Sequence, residues 1–171
     1  MDRYRKEDKA GMLQLISNAT IFIAAGTETS TTLLCGSLYH ILVNPQVLSK
    51  LTQEIRSAAA NLQDLNLDLI HNLSYLKACM TECLRIYPPV PATLTRLVPK
   101  GGSIICGKHV PQNTVVGVNH WATYHSATNF KHPDEFHPER WIDTQEGEYS
   151  EDRRNSLHPF NYGPRKCIAN E

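Results

Sequence analysis

Phe160-Asn161-Tyr162-Gly163-Pro164-Arg165-Lys166-Cys167, close to the end of the chain, is the stretch whose reading decides the fold. A cysteine needs help to act as a permanent metal ligand, because only the thiolate binds and a free thiol titrates near pH ~8.5. This segment supplies such help in a fixed order. Gly163 lets the backbone turn tightly and approach something flat, and Pro164 stiffens the turn. Arg165 puts a permanent cation two residues before the sulfur, and Phe160 offers an apolar plate seven residues before it. Ile168-Ala169-Asn170-Glu171 then reads as the start of a helix, whose N-terminal dipole favours a thiolate at Cys167. The competing reading is a loop around a structural cysteine.

Upstream, Lys9 to Val43 reads as one long helix, with Leu13, Ile16, Ile23, Leu34, Leu38 and Leu42 keeping the beat and Asn44-Pro45 stopping it. Its middle, Ala24-Ala25-Gly26-Thr27-Glu28-Thr29-Ser30, sets small residues beside a carboxylate and several hydroxyls. Gly costs ~1 kcal/mol against Ala inside a helix, and β-branched Thr is a mediocre former. A weak polar patch in an otherwise apolar helix suggests a functional site. A Gly-mediated helix crossing is the alternative. Asn44 with Pro45 predicts the N-cap and first turn of a second helix through Ala60, and a short helix is expected near Leu67 to His71. Ser74 predicts the cap of a further helix running to Ile86, ended by Tyr87-Pro88-Pro89. Glu82 and Arg85 are neighbours on its surface, off the stripe of Leu76, Cys79, Cys83 and Leu84. Taken alone, such a pair is usually solvated.

After Pro91 the period changes to two. Thr93 to Val98, Ser103 to Cys106 and Thr114 to His120 read as short strands; Trp121 to Asp143 reads as loop, and Glu146 to Asn155 as a charged, exposed insertion.

Phe-x-x-Gly-x-Arg-x-Cys resembles the haem-binding loop of the cytochromes P450, the haem-thiolate monooxygenases. Ala25-Gly26-x-Glu28-Thr29 is similar to their oxygen-activation motif, and Glu82-x-x-Arg85 with Pro138-Glu139-Arg140-Trp141 is similar to the halves of their buried charge network. The resemblance runs from about Gly11 to Ala169, with one departure: Ala169 stands where the family usually has Gly. It implies a mainly α fold with a small β-sheet, the C-terminal part of the family's fold, as one partial domain over residues 1–171. It further implies haem held by Cys167 as the metal ligand, with Arg165, Phe160, Gly163, Ala25 and Gly26 around it and Arg96 reaching a propionate. Tyr124-His125 replaces the usual His-Arg, which puts a further propionate contact there in question. Thr29 and Glu28 would be the catalytic pair that manages protons, and Glu82, Arg85 and Arg140 the structural network.

The resemblance also implies a small apolar substrate and electrons from NADPH through a separate reductase. Lys166, Arg165 and Arg153-Arg154 are candidates for part of the reductase's docking face. His120 to Trp141 is similar to fungal secondary-metabolism members, trichothecene-type hydroxylases among them. The parent would sit on the cytosolic face of the endoplasmic reticulum, anchored through an N-terminal segment lacking here. The rival expectation is a truncated, inactive product that binds haem weakly or not at all; an isomerase or dehydratase that bypasses dioxygen is a third, argued against by Thr29.

Composition agrees with one globular domain. The 171 residues are 41% hydrophobic, and Lys+Arg and Asp+Glu balance at 17 each, which offers nothing to nucleic acid. Five cysteines without a C-x-x-C pair indicate reduced thiols rather than a disulfide framework or zinc knuckle. The eight histidines include no His-x-x-x-His, so a zinc site is a minor alternative, and Cys79 and Cys83 read as core. No membrane span is expected, because Gln14, Asn18 and Glu28 interrupt the apolar run.

Overall fold

The computed structural model describes residues 9–142 and 146–170. Helix α1 runs Lys9–Val43, as the apolar beat and the Asn44-Pro45 stop predict. At 35 residues it is ~52 Å long. Its C-terminal part packs on the core. Gly36 and Ser37 are buried, while Leu33 and Ile41 lean on the core. A Cβ on Gly36 would lie 2.5 Å from the Tyr87 ring, so this glycine is what lets α1 approach the end of α4 (Ser74–Ile86). A Cβ on Gly26 would meet nothing within 4 Å. The glycine-mediated crossing therefore belongs to Gly36, and nothing packs on Gly26 to make it one.

Helix α2 (Pro45–Ala58) turns back against α4, and α3 (Leu67–Asn72) follows. Two predicted caps work differently from expectation. The Asn44 side chain turns backward and donates to the His40 carbonyl at 2.7 Å, satisfying an end of α1 instead of starting α2. Ser74 is already inside α4, and the cap comes from another helix. The Glu54 carboxylate of α2 accepts the backbone N–H groups of Tyr75 (2.7 Å) and Leu76 (3.0 Å) and the Ser74 hydroxyl (3.3 Å). A carboxylate on the orphan donors of a helix start is favoured by both hydrogen bonding and the dipole. No local pattern in the sequence announces it, because the partner lies a helix away.

The core joins Val47 and Leu51 of α2 to Tyr75, Cys79, Cys83 and Ile86 of α4, closed by Phe136. Cys79 and Cys83 are fully buried, and burial drives both thiols up, Cys79 to about 12. They act as small hydrophobes. Glu139 adds a polar tie between the helices, taking Lys50 at 2.7 Å and the Tyr75 hydroxyl at 2.9 Å.

The strands are shorter than predicted and differently arranged. They form two antiparallel pairs: β1 (Arg96–Leu97) with β4 (Val115–Val116), and β2 (Ser103–Ile105) with β3 (Lys108–Val110). In register, Arg96 faces Val116 and Ile104 faces His109. The β2–β3 hairpin turns on Cys106 and Gly107, both at positive φ (49° and 76°), as a two-residue hairpin demands. The predicted third strand stops early because Asn119 caps a helix: its Oδ1 accepts the Ala122 N–H at 2.9 Å and starts α5 (His120–Tyr124). Among the described residues no helix is long and apolar enough to cross a membrane.

Glu54→Gln is expected to lower the stability of the fold by about 1–2 kcal/mol, the cost of a lost cap. Chemical denaturation at neutral pH measures it, with Gln53→Ala, exposed on the same helix, as the control.

Candidate functional site

Glu82, Arg85 and Arg140 come together with no solvent exposure at all. The Glu82 carboxylate accepts five hydrogen bonds. Arg85 supplies Nη2 (2.8 Å) and Nε (3.0 Å), and Arg140 supplies Nε (3.0 Å). The Trp141 indole (2.8 Å) and the His137 backbone N–H (3.0 Å) complete the set. Most of the remaining guanidinium bonds go to backbone. Arg85 holds the carbonyls of Tyr124, Pro133 and Glu135, and Arg140 holds those of Lys131 and His132. Phe130 lies beneath both guanidinium groups, 5.3 Å from Arg85 and 5.8 Å from Arg140, and the Tyr149 ring lies 4.6 Å from Arg140.

Two arginines against one glutamate would leave a buried positive charge. Asp152 supplies the missing negative one: it is buried, pairs with Arg140 Nη1, and takes the Lys131 N–H at 2.7 Å. This corrects the reading of Glu146 to Asn155 as an exposed insertion at Asp152, while Glu146, Glu148, Glu151 and Arg153 are exposed as expected. Arg154 donates to the carbonyls of Arg140 (2.5 Å) and Tyr149 (2.6 Å), so its guanidinium faces the network and not a docking partner. Asp152 went unnoticed because it sits in a run of charges that looks solvated, and only tertiary contact distinguishes it. Burial pushes the Glu82 carboxyl up, but the Arg85 hydrogen bonds and the charges of Arg85 and Arg140 outweigh that and hold it below the ordinary range.

The second assembly is a cleft of about 200 Å³. Thr29 of α1 and Phe160, Arg165 and Cys167 of the terminal loop line it together. Leu84, Pro88, Val90 and Leu94, from α4 and the segment after it, make the rest of the wall largely apolar. The loop is closed by the Cys167 N–H on the Phe160 carbonyl (2.8 Å) and the Lys166 N–H on that of Gly163 (3.0 Å). Gly163 sits at φ 80°, which explains glycine there, and Asn161 at φ 63°. The Cys167 thiol is exposed. On α1 the Thr29 hydroxyl donates to the Ala25 carbonyl at 2.6 Å.

Other predicted residues are not gathered. Glu28, Ala25 and Gly26 are exposed on α1 and outside the cleft wall, and Gly163 shapes the loop without lining the cleft. Arg96 is exposed and bonds its neighbour's carbonyl, that of Thr95, at 2.9 Å. Ile168 and Ala169 form a turn where a helix start was expected, and Glu171 lies outside the described residues.

This donor set suits a flat iron-bearing group. An exposed thiol follows a positive-φ glycine, and an arginine, a hydroxyl and apolar walls line the same cleft. The chain belongs to the cytochrome P450 family, whose sequence pattern it matches over residues 2–169. It is similar to the cytochrome P450 monooxygenase efuB of Hormonema carpetanum, 44% identical over 91% of this chain and 31% of that protein. It is also similar to astA of Talaromyces wortmannii, 44% identical over 96% of this chain and 34% of that one. The averantin hydroxylase of Dothistroma septosporum is 41% identical over 97% of this chain and 32% of its own length. The chain thus spans about a third of the length of the curated relatives it matches.

Glu82→Gln removes one partner of a buried network and is expected to cost about 3–5 kcal/mol, against almost nothing for exposed Glu151→Gln. The pH dependence has a definite sign. Because the folded carboxyl of Glu82 titrates below the unfolded one, its contribution is present above the ordinary carboxylate range. It is lost as pH falls through the lowered folded value. Urea midpoints measured from pH 7 downward should fall more steeply for the native chain than for Glu82→Gln.

Proposed function

We propose that this chain carries the cysteine loop and the long hydroxyl-bearing helix of a haem-thiolate monooxygenase that hydroxylates a small apolar organic substrate, with Cys167 as the residue that would hold the haem iron. The observation behind this is the single cleft that takes Thr29 from α1 and Phe160, Arg165 and Cys167 from the other end of the chain. Haem held there would supply the oxygen chemistry, and a Cys167 thiolate would be the ligand that donates electron density to it. Arg165 keeps a cation beside the sulfur and Phe160 covers the apolar face of the loop. Arg96 has the charge for a propionate, at the cost of its present bond to Thr95.

Thr29 manages protons. Its hydroxyl now donates to Ala25, leaving the lone pairs of Oγ1 free to accept; rotation about χ1 turns the proton toward the cleft. Glu28, exposed on the neighbouring position, exchanges protons with water and resupplies the threonine. Ala25 and Gly26, one turn earlier, keep that side of the helix free of bulk. Leu84, Val90 and Leu94 exclude water and suit an apolar substrate. One relative is named for hydroxylating averantin, and hydroxylation of a secondary metabolite is the reaction class we assign. Electrons come from NADPH through a reductase that meets Lys166, Arg165 and exposed Arg153. Membrane attachment, on the cytosolic face of the endoplasmic reticulum, is through an N-terminal segment of a longer polypeptide.

A second reading has its own support. The cleft, about 200 Å³, is smaller than the ~300–1,000 Å³ of usual cofactor sites, and much of α1 is uncovered. By itself the chain is then a weak haem binder without turnover. Titration with haem followed by the reduced carbon-monoxide difference spectrum is expected to give at most a small thiolate-type band, abolished by Cys167→Ser. A full-height band would overturn the weak-binder reading.

In a chimera where this chain replaces the matching third of a relative, Thr29→Val is expected to leave substrate binding within about twofold. Product per NADPH is expected to fall about tenfold or more, within the range attributed to a positioned proton donor, with peroxide rising in step. An unchanged product-to-NADPH ratio would remove Thr29 from proton delivery.

A further inference from the structure

Tyr124 stands where the family resemblance leads one to expect a histidine; the network uses its carbonyl, and its phenol serves neither the network nor the cleft wall. It is 1% exposed, and both its backbone carbonyl and its phenolic oxygen are engaged. Its backbone carbonyl accepts Arg85 Nη1 at 2.9 Å, which ties it to the buried charges. Its phenolic oxygen accepts the His158 N–H at 3.1 Å, two residues before the ligand loop opens at Phe160. The ring between them is fixed by stacking on His120, with centroids 5.3 Å apart and planes 14° apart. His120 in turn lies 3.0 Å, through Nδ1, from the carbonyl of Val90 in the cleft wall.

The chain beyond His158 has little else to hold it. Asn161 N–H binds the His158 carbonyl, Cys167 N–H binds that of Phe160, and Lys166 N–H that of Gly163, all within the loop. Among the described residues, the bond from His158 to Tyr124 is the only hydrogen bond joining residues 158–167 to another element. We infer that Tyr124 is the positioning residue of the ligand loop: a rigid phenol strut that carries the fixed geometry of the Glu82–Arg85 pair to the segment bearing Cys167. An aromatic spacer suits this, having few rotatable bonds and one polar tip. The inference rests on Cys167 being the ligand only for its importance, not for its geometry.

The test removes the same bond from each end. Tyr124→Phe deletes the acceptor and keeps the ring stack. His158→Pro deletes the donor at an exposed site, and Leu157 before it already has the extended backbone (φ −85°, ψ 107°) that a following proline requires. Amide hydrogen exchange on the full chain, read by mass spectrometry, is expected to accelerate about tenfold over residues 160–167 in either variant, the size of one lost hydrogen bond. Exchange in α4 should stay as it is, which general destabilisation would not allow. Combining the two should add nothing further, because the bond is already gone. Unchanged loop exchange in both variants, additive effects, or equal acceleration in α4 would overturn the strut. Should Tyr124→Phe fail to fold, His158→Pro with its exposed site decides alone. Cys167→Ser separates this from the ligand reading. There the Tyr124–His158 coupling should persist, while any slowing of loop exchange by added haem should disappear. Haem protection that survives Cys167→Ser would overturn the ligand assignment and leave the strut standing.

Discussion

Two guanidinium groups buried without a water contact constrain this protein more than its apolar core does. Moving an ion out of water costs several kcal/mol, and a buried pair is tolerated only when every proton and lone pair finds a partner. Arg85 and Arg140 meet that demand with Glu82, Asp152 and five backbone carbonyls drawn from Tyr124 to Glu135. A stretch with almost no regular structure is thereby folded around two side chains. The network does for the loops what a sheet ladder does for strands: it consumes their carbonyls in a fixed order.

From that centre, constraint passes outward to the site. The turn at Pro138–Trp141 brings Arg140 and the Trp141 indole onto Glu82, and Asp152 and Arg154 bind the following segment back to it. The polypeptide then enters the cysteine loop from a defined point near Tyr124. On the other wall, α1 is pinned between Leu33 and Ile41, where Gly36 meets Tyr87 and its neighbours lean on the core, and Thr29 lines the cleft two turns before Gly36. Cys167 and Thr29 thus share a cleft because α4 and what packs on it hold both, with no direct tie between α1 and the loop in the hydrogen bonds of the described residues.

The uncovered half of α1 has a simple physical reading. Met12, Leu13, Ile16, Phe22 and Ile23 are all exposed on a helix that is apolar on every side, and such helices belong in the interior of larger folds. The relatives are about three times as long, and they match nearly the whole of this chain with about a third of themselves. A helix written for an interior and a cleft smaller than a usual cofactor site are consistent features of the same segment.

Much of this was legible from local chemistry. The bounds of α1 follow from its apolar beat and Asn44-Pro45, and the end of α4 from Tyr87-Pro88-Pro89. The cysteine loop is readable because a positive-φ glycine, a cation and a thiol at fixed spacing have few other uses. The family resemblance, not periodicity, singled out Glu82, Arg85 and Arg140. Tertiary structure alone decided the rest. Asp152 became a network member and Arg154 turned inward because a buried charge must be balanced, and charge balance is a sum over groups distant in sequence. Glu54 took the cap assigned to Ser74, and Asn119 ended a predicted strand early and started α5 in a predicted loop, because a side-chain oxygen serves whichever orphan N–H it can reach. Arg96 and Glu28 lie outside the cleft wall. Spacing in sequence fixes which face of an element a residue occupies, and only packing decides what that face meets.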